Sequence, residues 1–124
     1  MIPRYRAWLK EDKEMIDVEE IHFYNGEFDF IGDAITWMCK SDDCVLMQST
    51  GLTDKNGKEI FEGDVVKMAK NVYSEPTYYE VVRHRGGAYR LESKQYGCEL
   101  WLRHTDCEIA GDIYKNPELL EVSS

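Results

Sequence analysis

Apolar and polar side chains alternate in short runs along most of this chain, and charged or glycine-containing turns separate the runs. Large and polar residues alternate from Arg4 to Leu9, Lys10 to Glu14 is a charged turn, and Met15 to Phe23 resumes with Ile16, Val18 and Ile21. A period of two is the mark of a strand with one face on a core, so this stretch predicts a hairpin. Asn25-Gly26 then turns the chain into Glu27 to Ile31, where Phe28 and Phe30 share one face and Asp29 takes the other. A three-stranded β-meander is thereby predicted over residues 4 to 31. Between Gly32 and Asp43 the alternation weakens, and Asp33 to Met38 reads equally as a helical turn or as a loop docked by Trp37.

The central stretch from Leu46 to Val66 holds two turn signals. Asn56-Gly57 tolerates positive φ, and Glu62-Gly63-Asp64 is a second sharp turn that delivers the chain into Val65-Val66. Strands are predicted at Asp64 to Ala69, Tyr78 to Arg85, Ala88 to Lys94, Cys98 to Arg103 and Glu108 to Tyr114, with Asn71 to Pro76 as a loop and Gly86-Gly87 as a two-residue turn. Five short strands in about fifty residues fit a small SH3-like β-barrel. Asn116 as N-cap and Pro117 at the first helical position predict a short terminal turn to Leu120. The fold class is mainly β with little helix, and no regular helix longer than about twelve residues is expected.

At 124 residues, one domain is expected. It divides by charge into an acidic β subregion at 1–62 and the barrel subregion at 63–120. The net charge is −9, and residues 1 to 62 hold seven Lys or Arg against fourteen Asp or Glu, while residues 63 to 124 hold eight against ten. Such acidity argues against nucleic-acid binding over the whole surface, because phosphate affinity comes from basic groups. No charged segment followed by an apolar run reads as a secretory signal, and no apolar run approaches the roughly 18 residues of a membrane span. A soluble cytoplasmic protein with reduced thiols is expected.

Candidate chemistry is sparse. Cys39 and Cys44, with Cys98, Cys107 and His104, offer zinc-ligating residue types, but only the first pair is closely spaced, and buried free thiols read more simply. His22, His84 and His104 fall in strand candidates without a nucleophile, metal or phosphate-loop motif, and the adjacent carboxylates Glu19-Glu20 and Asp42-Asp43 show no acid/base spacing. No catalytic residue, metal or cofactor is expected. The Gly86-Gly87 hairpin, read as a two-residue loop, places Arg83 opposite Arg90 and gathers Arg83, Arg85 and Arg90 on one face. With Lys94 and Arg103 this is a candidate anion or nucleic-acid patch, and Glu80, Glu92 and Glu99 are near enough in sequence to neutralise it. Trp8, Tyr89 and Trp101 are predicted core residues, and consecutive Tyr78 and Tyr79 must differ in exposure.

Three segments carry a family resemblance: Arg6-Ala7-Trp8, the run from Thr50-Gly51-Leu52-Thr53-Asp54-Lys55-Asn56-Gly57-Lys58-Glu59-Ile60-Phe61 to Glu62-Gly63-Asp64, and Gly111-Asp112-Ile113-Tyr114-Lys115-Asn116-Pro117-Glu118-Leu119-Leu120. Together they resemble the YopX-like family of phage and prophage proteins. Asn71 to Cys107 contributes little to the likeness, and Asp112 stands where similar sequences often have Asn. The resemblance implies a mostly β fold, a phage or prophage origin and a host-cytoplasm location. It implies no site residue, since the family carries no established activity. The expected function is that of a non-enzymatic accessory protein, an interaction module for a protein partner or for itself as a homo-oligomer. The alternative is a nucleic-acid-associated factor using the basic hairpin, and an uncharacterised enzyme is a third reading.

Overall fold

The structure is a computed structural model that describes residues 4–33, 35–69, 73, 75–84, 86–94 and 97–122. It is mainly β, and it divides into two compact units, residues 1–48 and 49–124. The division falls inside a strand, ahead of the change in charge at Glu62.

The first unit opens with the hairpin β1 (Tyr5–Leu9) and β2 (Glu14–Val18), in register Ala7 opposite Ile16. A second hairpin joins β3 (Ile21–Tyr24) to β4 (Glu27–Gly32) through Asn25-Gly26, both at positive φ, as that dipeptide predicts. The run Met15 to Phe23 is therefore two strands broken at Glu19-Glu20. The expected three-stranded meander is replaced by two hairpins, since β2 pairs with β1 whereas β3 pairs with β4. β5 (Met38–Lys40) adds to the free side of β4, with Gly32 opposite Met38. A 3₁₀ turn at Ser41–Asp43 leads into β6 (Cys44–Thr53), whose residues 44–48 pair with β1. Ala7, Ile31 and Cys44 form the buried cluster, lined by partly exposed side chains such as Leu9, Ile16, Val18, Ile21 and Phe28.

In the second unit, residues from Ser49 onward pair with β7 (Glu59–Phe61). β8 (Asp64–Met68), β9 (Thr77–Arg83), β10 (Tyr89–Glu92), β11 (Gly97–Glu99) and β12 (Glu108–Asp112) form one antiparallel sheet in the order β11-β10-β9-β8-β12. These are the five expected strands, in an open order; among the described residues β11 pairs only with β10 and β12 only with β8, so no pairing carries an SH3-like closure. The predicted strand Cys98 to Arg103 is overturned in its second half. There the chain coils into α1 (Leu100–Arg103), which turns Leu100 into the core and leaves Trp101 64% exposed. Trp101 is thus not a core residue. Trp8 is buried, Tyr89 packs at the core margin, and Tyr79 is buried while Tyr78 is partly exposed. Ile60, Val66, Tyr79, Val81, Leu91, Leu100 and Cys107 make one cluster, and α2 (Glu118–Val122) closes the described chain. Both α-helices are far shorter than twelve residues.

Candidate functional site

The hairpin arginines do not assemble as predicted. His84 N–H donates to Ala88 O at 2.8 Å, which makes the loop three residues long and moves the register by one. Arg83 then faces Tyr89, Arg90 faces Val82, and the two arginines fall on opposite faces of the sheet. Arg85 lies outside the described residues. Arg90 is held between two carboxylates, with Nε at 3.1 Å from Glu92 and Nη1 at 2.5 Å from Glu99, and these bonds raise its already high pKa. Arg103 meets Asp106 at 3.1 Å, and Lys94 lines a cleft of about 260 Å³ with Glu80, Glu92 and Glu121. Of the cations of the predicted patch, Arg90, Lys94 and Arg103 are thus set among acids.

The long central motif builds turns. Asp54 is 4% exposed, and its Oδ1 accepts N–H bonds from Asn56 and Lys58 at 2.9 Å while Oδ2 accepts that of Ile109 in β12 at 3.0 Å. Burial pushes its carboxyl up, and those three donors pull it further down, so its pKa lies below the ordinary value. Asp64 Oδ2 accepts from Phe61 N–H at 2.8 Å across the Glu62-Gly63 turn, and Thr50 Oγ1 donates to Ile60 O at 2.7 Å. Asp112 Oδ1 accepts from Tyr114 and Lys115. Asn116 opens the terminal turn through its carbonyl, which accepts Leu119 N–H at 3.1 Å, and its side chain turns the other way. Its Oδ1 accepts the Asp112 N–H at 3.3 Å and occupies the space a Cβ on Gly111 would need, so glycine there is a packing requirement. These buried aspartates accept from backbone donors of their own turns and of β12, which gives the motif a structural role.

The histidines and thiols have local roles. His22 stacks on Phe30 with ring centroids 4.2 Å apart and meets Glu20 at 3.5 Å; His84 meets Glu92 at 3.3 Å. His104 sits in a 3₁₀ turn rather than a strand, with Nδ1 2.7 Å from Thr53 O. Cys39 and Cys44 belong to the first unit, Cys98 and Cys107 to the second. Burial pushes both the Cys44 and the Cys107 thiols up to about 12, which keeps them protonated and unreactive.

What sequence reading passed over is a cleft of about 150 Å³ in the first unit, lined by Asp17, Glu19, Glu20, Gly32, Asp33 and Trp37. Gly32 ends β4 at φ +102°, and its N–H donates to Glu20 O at 3.1 Å, which ties the β2–β3 corner to the loop after β4. Trp37 lies over that glycine; an ideal Cβ there would sit 2.6 Å from Trp37 O and 3.2 Å from its indole. Asp33 Oδ1 accepts the N–H of Ile35, Thr36 and Trp37 at 2.7–3.2 Å, and the Thr36 hydroxyl donates to Oδ2. The hydroxyl foremost, then the N–H groups, hold the Asp33 carboxyl far below the usual carboxylate range. The expected alternatives for this segment resolve into an Asp-capped loop, and Trp37 is 46% and Ile35 91% exposed on it. The one available signal was Asp33 three residues before Thr36, a pattern that caps turns.

Two hairpin-built β units, one with an acid-lined aromatic cleft, define a small, mainly β protein. A family model described as YopX protein matches residues 4–121, and the chain belongs to that family. Among solved structures it is similar to protein EF1440 from Enterococcus faecalis, at 29% identity and TM-score 0.71, covering 97% of this chain and 99% of that one. It is also similar in fold to protein yopX from Bacillus subtilis, at 22% identity and TM-score 0.67, covering 94% and 97% of the two chains. A comparison with curated proteins returns no match. No described helix is long and apolar enough to cross a membrane.

Proposed function

We propose that this YopX family member is a non-enzymatic protein-interaction module and that the loop from Asp33 to Met38 is the surface it presents. The observation that carries the reading is the exposure of Ile35 and Trp37 on a loop whose backbone Asp33 fixes. Exposed apolar side chains on an ordered scaffold gain free energy when a partner covers them, and ordering them beforehand lowers the entropy lost on binding. The nucleic-acid alternative loses support, since Arg90 is neutralised by Glu92 and Glu99 and the chain carries −9. A phage or prophage accessory role in the host cytoplasm, with a protein partner or a second copy as occupant, is the setting that the family resemblance supports.

A photo-reactive side chain at position 35, compared with one at exposed Leu102 in α1, tests this in a bacterial host. A discrete adduct from position 35 that Trp37→Ala abolishes, with none from position 102, is the expected result. Adducts from 102 alone, or from neither site, would overturn the assignment of this loop.

A further inference from the structure

The Trp37 cleft has a composition that selects its occupant, and on the interaction reading above we propose that it binds a basic segment of a partner protein, with an arginine or lysine side chain entering between the indole and the carboxylates. Four acids line the cleft with one aromatic ring, and among the described residues the basic contact of Glu20 is the imidazole of His22 at 3.5 Å. Asp33 is hydrogen-bonded on both oxygens by its own loop, and among the described residues every donor to it is a neutral N–H or O–H, so its negative charge is positioned without an ion-pair partner there. Acids outnumber cations in the unit that holds the cleft. Residues 1–48 hold five Lys or Arg against eleven Asp or Glu. A cation over an indole face and beside carboxylates gains from both the ring quadrupole and the ion pair.

Two further features separate a protein segment from other cations. Among the described residues no three His, Cys, Asp or Glu converge closely enough to hold a metal ion, so the carboxylates suit a longer organic cation. Ile35 and Met38, both exposed beside the cleft, extend the contact with apolar surface that a small polyamine would leave uncovered. A nucleic acid would be repelled by the same acids.

The test uses the full chain and a fluorescein-labelled twelve-residue peptide alternating arginine and leucine, with glutamine and glutamate versions in place of arginine. Fluorescence anisotropy at low salt should show binding of the arginine peptide only, weakened by about tenfold in Trp37→Ala. Asp33→Asn, which keeps an acceptor oxygen for the loop, and Glu19→Gln/Glu20→Gln should each weaken it by severalfold, while Trp101→Ala in the second unit changes nothing. If Trp37→Ala fails to fold by circular dichroism, the two charge variants decide. Failure of the arginine peptide to bind, equal binding of the glutamate version, or binding that these variants leave unchanged would overturn the proposal. An adduct from position 35 in cells without arginine-peptide binding would leave the interaction reading standing and remove the cationic occupant; the absence of both would remove both.

Discussion

In the second unit seven buried side chains meet in one cluster, whereas the buried cluster of the first unit is Ala7, Ile31 and Cys44. Among the described residues the exposed large apolar side chains are distributed the other way. Phe23, Tyr24, Ile35, Trp37 and Met38 belong to the shorter first unit, and Tyr73, Trp101 and Leu102 to the second. The first unit also carries −6 of the net −9 charge, from its five basic and eleven acidic residues. Burial is the main favourable term in folding and exposure opposes it, so the two units allocate apolar surface to different ends. One concentrates it in a core; the other leaves it exposed, on β3, on β5 and on the loop that Asp33 holds.

The largest expected effect separates the cores. Leu91→Ala, at a fully buried position amid the second cluster, should cost about 2–5 kcal/mol in urea unfolding. Ile31→Ala should cost less, because the partly exposed side chains around it can close on the space, and a larger loss at Ile31 would break the comparison. Next comes the motif. Asp54→Ala removes the acceptor from three backbone N–H groups and should cost about 1–3 kcal/mol in the same assay, while Asp33→Ala, whose donors are open to water, should shift the midpoint little.

Titration sharpens the same contrast. The Asp54 carboxyl titrates lower in the folded chain than its ordinary 3.8, so the stability it contributes is present above that value and is lost as pH falls through the folded pKa. Asp54→Asn should flatten this acid limb, and an unchanged limb would remove Asp54 from the account. For Cys107 the sign reverses. Its folded thiol is pushed from 9.0 to about 12 by burial, so its contribution is full below pH 9 and declines above it as the unfolded thiol ionises. The smallest effect concerns thiol access: partly exposed Cys39 should react with a disulfide reagent before buried Cys107, and the reverse order would contradict the packing of the second core.

Much of this architecture is written locally in the chain. Asn25-Gly26 and Glu62-Gly63 set their turns through residues that accept positive φ within two positions, and both turns form as read. Asp54 was not legible, because its decisive donor, Ile109, lies 55 residues away. The register of the arginine hairpin failed for a smaller reason. Gly86-Gly87 fits a two-residue loop, but the chain closes at His84 and Ala88, and a slip of one residue sends Arg83 and Arg90 to opposite faces. Leu100-Trp101-Leu102 is too short an apolar run for its period to separate strand from helical turn. For the site, Glu19-Glu20 read as solvated carboxylates, and only the Gly32–Glu20 hydrogen bond and the Asp33 loop bring them beside Trp37.

Native-state hydrogen exchange of the full chain tests the division between the two units most directly, because it reports local opening free energies residue by residue. The amides of Val66, Val81 and Leu91 should exchange slowest, at the rate of global unfolding, with those of β3 and β5 faster. Equal or greater protection in β3 and β5 than in β8–β10 would contradict it.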